Sequence, residues 1–598
     1  MNKTALTKTY TKDIQNSCLN SKKIVLSLAA ISFSASCTHA TLTPEIETYE
    51  EATNRHTKAR SGISSKSSNN NKTISSLQNS TETVSGTGNT LVIESGGTIT
   101  ISNGSQQAVN FTQGSSTSTF LNQGTLIGGN NAASVRLGAN RNNGVTIETF
   151  DNQGIIGNGS SKFGVTVWGT NSSKSTINNF SNSGTIHSST GESIYFDNAK
   201  ISSFANSGTI KSNQGAGVNI SQGTSSIGNF NNSGTIEGKS MGVHVRSTID
   251  TFVNSGLITT TVKGNWSNGI QINANVKTLK NTGTIQGFSA PIRSSGGTID
   301  QLINEGTMKG ESIGIYMIGG LVKTLTNSGT INQNNSANWA AGIKLQNNST
   351  IENIINTGSI RSNAFGISVT GGKFGTLTIK DGGQVYGKYS AIGVGQSQTL
   401  GDLYIDGRSN NGTVSGIYSE EHGILLENNS RTQKIELKNG GIIQGKIDGI
   451  RLTDSASLSG EMILSGEGSR VEGGRGAGIL NRSGKITGSI TIKDGATVTA
   501  TSNQAISNSR SGSITGGITV SGKNTKLQGN IINRDNASIG SDIKIEGGAK
   551  VEGGLVNQGN GAISGSITVD KDSKLDSITN TSTSSTGISG SITNNSDN

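Results

Sequence analysis

One four-point signature constrains this chain more than anything else in it. An aromatic or aliphatic residue is followed two positions later by Asn, two later by Gly, and two later, usually, by Ile. It reads Phe180, Asn182, Gly184, Ile186; Phe204, Asn206, Gly208, Ile210; Phe230, Asn232, Gly234, Ile236; and Leu325, Asn327, Gly329, Ile331. The signature glycines fall at 124, 154, 184, 208, 234, 256, 283, 306, 329 and 358, nine intervals covering 234 residues with a mean of 26. Between signatures sits a second unit, Gly-apolar-spacer-apolar, as in Gly217 to Ile220, Gly242 to Val245, Gly269 to Ile272, Gly342 to Leu345 and Gly366 to Val369. Apolar and polar residues alternate in each, the two-residue period of a strand with one buried face. Every repeat therefore holds three short strands.

From about Leu377 the pattern changes while the period persists. Leu377 and Ile379 precede Gly382 and Val385; Ile435 and Leu437 precede Gly440 and Ile443; Ile490 and Ile492 precede Gly495 and Val498; Ile543 and Ile545 precede Gly547 and Val551. Three strands in 20–30 residues, joined by Gly and Asn turns, predict an all-β chain, a parallel β-helix (β-solenoid) of roughly 20 coils. A single repeat cannot bury its apolar face, so stacked coils must hide it against one another. Parallel crossovers are almost always right-handed, which predicts a right-handed helix. The turn glycines are expected to supply positive φ. Asn recurring at one position is expected to stack into a ladder of side-chain amides.

Composition supports the repeat array. Gly is 85 of 598 residues, and Pro44 and Pro291 are the only prolines, which excludes collagen and Pro-rich linkers. Charged residues make up 14%. Net charge is +10, of which the first 40 residues carry +4, leaving +6 over the remaining 558. That density is low, and no basic run is interleaved with aromatics, so nucleic acid is not an expected partner.

Lys22 and Lys23 precede an apolar run from Ile24 to Phe33, too short to span a bilayer, and Thr38, His39 and Ala40 form a small-residue cleavage site. Residues 1–40 read as a signal peptide cleaved after Ala40. Ser34 to Cys37 approximates a lipobox, which makes Cys37 a candidate lipidation site; the alternative is that Cys37 leaves with the leader. Cys18 and Cys37 are the only cysteines, so the mature chain carries no thiol. Residues 41–86 read as a flexible polar segment, 87–372 as β-helix with Asn-Ser-Gly-Thr-Ile repeats, and 373–598 as its continuation with Gly-Gly type repeats.

These repeats, the extended leader and the Cys-free mature region resemble type V autotransporter passengers, in particular Campylobacter-type autotransporter adhesins, among them a lipoprotein member, and the repeat regions of vacuolating-toxin-like proteins. The resemblance implies export, display at the cell surface or outer membrane or release, attachment to a host-cell glycan or protein receptor, and self-association in some members. It implies affinity spread over many weak contacts, with a toxin-like action on host membranes as the alternative. Such passengers end in an outer-membrane barrel with aromatic girdles. Here Tyr418 is the last aromatic residue, so a translocator barrel is expected to be supplied separately or lost by truncation.

No catalytic, cofactor or metal site is expected. His39, His56, His187, His244 and His422 lack metal-ligand spacing, and His244, between Val243 and Val245, should point outward. A β-helix enzyme acting on polysaccharides would need clustered carboxylates; Glu420, Glu421 and His422, with Asp402 and Asp406, are the only faint candidates and read as solvated corners. Trp168, Trp266 and Trp339 each follow a polar stretch near an expected loop. Filling the end or interior of a coil is the favoured reading for them, over stacking on sugars.

Overall fold

The computed structural model describes residues 71–596, apart from 103, 139–143, 265 and 410–411. The signal peptide, Cys37 and the cleavage position after Ala40 lie outside the described residues. What is described is an all-β parallel β-solenoid of about 19 turns. Up to about residue 453 each turn contributes one strand to each of three faces; beyond it two short strands share the first face, and from Thr497–Ser509 on a single long strand serves the second and third. On the first face Ser175–Asn182, Ala199–Asn206, Ser226–Asn232 and Thr248–Asn254 succeed one another. Thr185–Ser188, Thr209–Ser212 and Thr235–Gly238 lie on the second face, and Ile194–Asp197, Val218–Ile220 and Met241–Val245 on the third.

Pairing is parallel, and it places like residue on like residue. Ile177 meets Ile201, Phe180 meets Phe204 and Asn182 meets Asn206, and Ile186 and Ile236 flank Ile210 on the second face. The buried residues form one continuous apolar column. Within it Phe120, Phe150, Phe180, Phe204, Phe230 and Phe252 pile up with ring centroids 4.3–5.0 Å apart. Leu279, Leu302 and Leu325 continue the same column.

The Asn ladder is present. Nδ2 of Asn122, Asn152, Asn182, Asn206, Asn232, Asn254, Asn281, Asn304 and Asn327 each donates to Oδ1 of the Asn one coil on, at 2.6–2.9 Å, and the chain of amides ends at Asn356. Each amide also reaches turn carbonyls, as Asn206 does with Gly208 and Thr235. A second ladder, on the third face, runs through Asn481, Asn508, Asn533, Asn557 and Asn580 at 2.8–3.0 Å.

The signature glycines do not serve the purpose expected of them. None of those from Gly124 to Gly358 has a positive φ. Close approach is what requires them. A Cβ on Gly234 would lie 2.1 Å from the carbonyl oxygen of Gly208, and one on Gly208 would lie 2.1 Å from that of Gly184. Those carbonyls accept the N–H of Thr235 and Thr209 at 2.9 Å. In the later repeats the corresponding turns do take positive φ, at Asp381–Gly382, Asn439–Gly440 and Asp494–Gly495. There the inward position that held Asn is Ile379, Leu437 and Ile492. The amide N–H groups of Gly382, Gly440 and Gly495 donate instead to the hydroxyls of Ser415, Ser469 and Thr525 one coil on, at 2.9–3.0 Å.

One expected boundary shifts. Strands already occupy Asn71–Ile74, Leu77–Gln78 and Glu82–Val84, so the last third of the segment 41–86 is the first described coil of the solenoid rather than flexible. Ile74 and Val84 are buried there, and Lys72 pairs with the buried Glu82. The solenoid runs on through the change of repeat type near 372: Gly372–Ile379 pairs in register with Ser349–Asn356 before it and with Thr399–Asp406 after it.

Ile210→Asp places an unpaired carboxylate in the apolar column, and Gly234→Ala drives a methyl into backbone. Both are expected to open the affected coil, read as new protease cleavage sites between about residues 180 and 260 and a fall in stability of several kcal/mol. Wild-type protease resistance in either variant would contradict the inward assignment.

Candidate binding groove

The spacer residue of each Gly-apolar-spacer-apolar unit points outward on the third face, where successive coils align it. The column runs Asn219, His244, Gln271, Arg293, Tyr316, Lys344, Ser368, Gly393, Leu425, Arg451. His244 points outward as expected and bonds Asn273, and burial holds its pKa below the ordinary imidazole value.

Corner length decides where this column becomes a groove. Between the second and third faces most corners are short: residues 288–289 and 311–312 suffice in two adjacent coils. The coils on either side of that pair use seven residues each, 261–267 and 334–340. Each long corner carries a tryptophan. Trp266 is 67% and Trp339 47% exposed, so neither fills a coil interior. Trp168 does not either; it ends a third-face strand, its ring 5.0 Å from that of Tyr195.

Both corners are braced. Ser267 Oγ donates to the Val262 carbonyl at 2.6 Å and Asn268 Nδ2 to that of Trp266 at 3.2 Å. Tyr389 Oη donates to the Ser336 carbonyl at 3.1 Å, Asn363 Nδ2 to that of Asn334 at 2.7 Å, and Lys344 Nζ to that of Trp339 at 2.7 Å.

Between the two tryptophans lies a cavity of about 410 Å³ floored by Arg293 and Tyr316, with Lys344 at its far wall. The Arg293 guanidinium stacks 4.1 Å from the Trp266 ring and 5.4 Å from that of Tyr316. Arg293 is 8% and Lys344 6% exposed. Arg293 Nε is buried without a hydrogen-bond partner. Among the described residues no carboxylate acts on either cation, and burial pulls both below their ordinary pKa ranges. Two buried positive charges without counter-charge cost free energy unless something anionic joins them.

The depression continues. Trp339 and Lys344 also line a second cavity of about 330 Å³, shared with Phe365, Gly393 and Leu425. Leu425 and Glu427 lead into a third, of about 360 Å³, with Arg451, Asp454, Arg482 and Arg510. From the coil of Trp266 to that of Arg510 is nine steps, roughly 43 Å at about 4.8 Å per coil.

His422 is not a solvated corner. It is buried, its Nδ1 3.1 Å from Oδ2 of the buried Asp448 but not aligned for a hydrogen bond. Asp448 also accepts the Ala477 N–H at 2.8 Å and lies 3.5 Å from Arg451 Nη1. Glu420 and Glu421 do not join it at the groove: Glu420 accepts from Tyr386 and pairs with Lys446 at 3.7 Å. Asp402 and Asp406 lie on the first face, bonded to Tyr404 and to the Arg408 N–H. The carboxylates that do reach the groove, Glu427 and Asp454, were not read from the sequence. Among the described residues no His, Cys, Asp and Glu cluster suited to a metal occurs, and no helix is long and apolar enough to cross a membrane.

Burial, with Asp454 adding repulsion, raises the Glu427 carboxyl above its ordinary value, against the pull of Arg451 and His422. A carboxyl whose folded pKa is raised binds its proton more tightly in the folded state. Its ionisation therefore costs stability as pH climbs from the ordinary carboxylate range through the raised value. Glu427→Gln is expected to melt at a higher temperature than the parent at pH 7 and at the same temperature at pH 4. A variant that melts lower at pH 7 would contradict this reading.

No protein-family model, curated protein or solved structure matches this chain. On its own geometry it is a parallel β-solenoid protein.

Proposed function

We propose that this chain is an exported adhesin, the β-solenoid passenger of an autotransporter-type system, and that it holds its host-cell receptor in the groove of the third face. The observation that supports this most is the pairing of exposed tryptophans with buried, counter-charge-free cations along one line of coils. Such an arrangement suits binding: it offers stacking platforms and charge, on braced corners, over a rigid stack. Contact is then concentrated in the groove rather than spread evenly along the repeats. The leader read in residues 1–40 supports export.

Excising residues 283–328 removes two whole coils in register together with Arg293 and Tyr316, while excising 154–207 removes two coils away from the groove. The first deletion is expected to cut saturable binding of the purified chain to epithelial cells at least about tenfold, a loss of roughly 1.4 kcal/mol. The second should leave it within about twofold. Equal losses from both would return the diffuse-contact reading.

Cleavage of a bound polysaccharide is a second reading, favoured by the raised carboxyl of Glu427 among Arg451, Arg482 and Arg510. It predicts new reducing ends when the chain is incubated with a bound glycan, and their loss in Glu427→Gln. Absence of any product from bound glycans would eliminate it.

A further inference from the structure

The groove's chemistry narrows the class of receptor, on the reading that the groove is the binding site. We infer that it takes an acidic glycan, a chain of pyranose units carrying carboxylate or sulfate groups, laid along the coil axis. Three observations converge. First, Trp266 and Trp339 stand three coils apart, about 14 Å at the strand-pairing spacing, on opposite ends of one cavity. Arg293 covers one face of the Trp266 ring, and the residue is still two-thirds exposed, consistent with an open opposite face. A flat ring of that kind accepts the C–H face of a sugar.

Second, the cations between the platforms have no anion of their own. Arg293 keeps a buried Nε without an acceptor, and Lys344 spends one donor on the Trp339 carbonyl. An ammonium has three donors and a guanidinium five, so both retain capacity for a carboxylate or sulfate oxygen. Ser289 and Ser312, on the short corners, add hydroxyls at the same cavity. Third, the positive charge recurs along the line: Arg451, Arg482 and Arg510 against Glu427 and Asp454 in the last cavity. A repeating ligand lying parallel to a repeating scaffold meets such charges at intervals of whole coils. A neutral glycan would leave the two buried cations of the first cavity uncompensated.

The test uses the full chain at physiological salt, titrated with size-fractionated heparin oligosaccharide, with oligogalacturonate, with dextran oligosaccharide of equal length and with oligo-dT. The readouts are calorimetry and intrinsic fluorescence, which Trp266 and Trp339 contribute with Trp168. Binding of heparin or oligogalacturonate at least about tenfold tighter than dextran is expected, with quenched fluorescence. Heparin alone would assign sulfate recognition, and both would assign recognition of the carboxylate. Arg293→Gln with Lys344→Gln, and separately Trp266→Ala with Trp339→Ala, should each weaken binding at least about tenfold. Lys200→Gln with Lys373→Gln, exposed on the first face, should leave it unchanged. Melting curves identify any groove variant that fails to fold. For such a variant the salt dependence and fluorescence quenching of the parent chain decide instead, loss of affinity from 0.05 to about 0.5 M salt being expected.

Equal binding of dextran, equal binding of oligo-dT, or no binding of either acidic glycan would overturn the inference. Cell attachment that soluble acidic glycan fails to compete would overturn it too, while leaving the adhesin reading intact. Glycan binding without cell attachment would do the reverse.

Discussion

The contact on which the repeat depends is between a signature glycine and the carbonyl of the glycine one coil before it. Because no Cβ intervenes, the turn of each coil settles directly on the turn below. There a carbonyl such as that of Asn182 receives two amide donors, from Ser207 at 2.8 Å and Gly208 at 3.0 Å. That seating fixes register, and the rest of the repeat depends on register. A slip of one residue would turn every inward Ile and Phe to solvent and every outward Thr or Lys into the core. It would also break the Asn ladder, whose bonds form only when like residue lies over like.

The ladders have a direction. Every amide donates toward the C-terminal side, so the first member of each has an acceptor with nothing beneath it. Asn122 stands over Ile93 and Asn481 over Leu452, and in both the buried Oδ1 is unpaired. An orphaned buried acceptor costs about 1–3 kcal/mol, whereas each made bond contributes about 1 kcal/mol. The cost falls once per ladder and the gain once per coil, so a ladder is favourable only when it is long. This accounts for one run of ten asparagines and one of five rather than scattered pairs. Between the runs the same inward positions are aliphatic, and the turns are satisfied by serine and threonine hydroxyls.

Much of this was legible in the sequence because inward positions repeat. The Phe, Asn and Ile of the signature declare the strand period, the coil length and the ladder. What escaped was whatever does not repeat or is set by neighbours in space. The role of the signature glycines was misassigned, though that of the later Gly382, Gly440 and Gly495 was not, because a turn glycine in one dimension suggests positive φ, while the carbonyl that excludes a Cβ lies 22–30 residues away in the chain. The second ladder was missed because Asn481, Asn508 and Asn533 sit in three differently worded repeats. Residues 71–84 were hidden by a polar composition that two buried aliphatics, Ile74 and Val84, suffice to fold onto the next coil.

The groove was the least legible part, and for the same reason. Its residues occupy the spacer position of a motif recognised from the sequence, yet a spacer is defined by not being conserved from coil to coil. Asn219, His244, Gln271, Arg293, Tyr316 and Lys344 become one surface only when the coils are stacked. Only the differing corner lengths then show that Trp266 and Trp339 overhang it. A solenoid thus separates its two tasks by side-chain direction. Inward positions must agree with those above and below or the coil opens. Outward positions are free of that demand, so chemistry can be varied coil by coil without disturbing the stack. The place to look for recognition in such a chain is therefore where the outward column carries cations without counter-charge, as at Arg293 and Lys344, and where corners lengthen to wall it in.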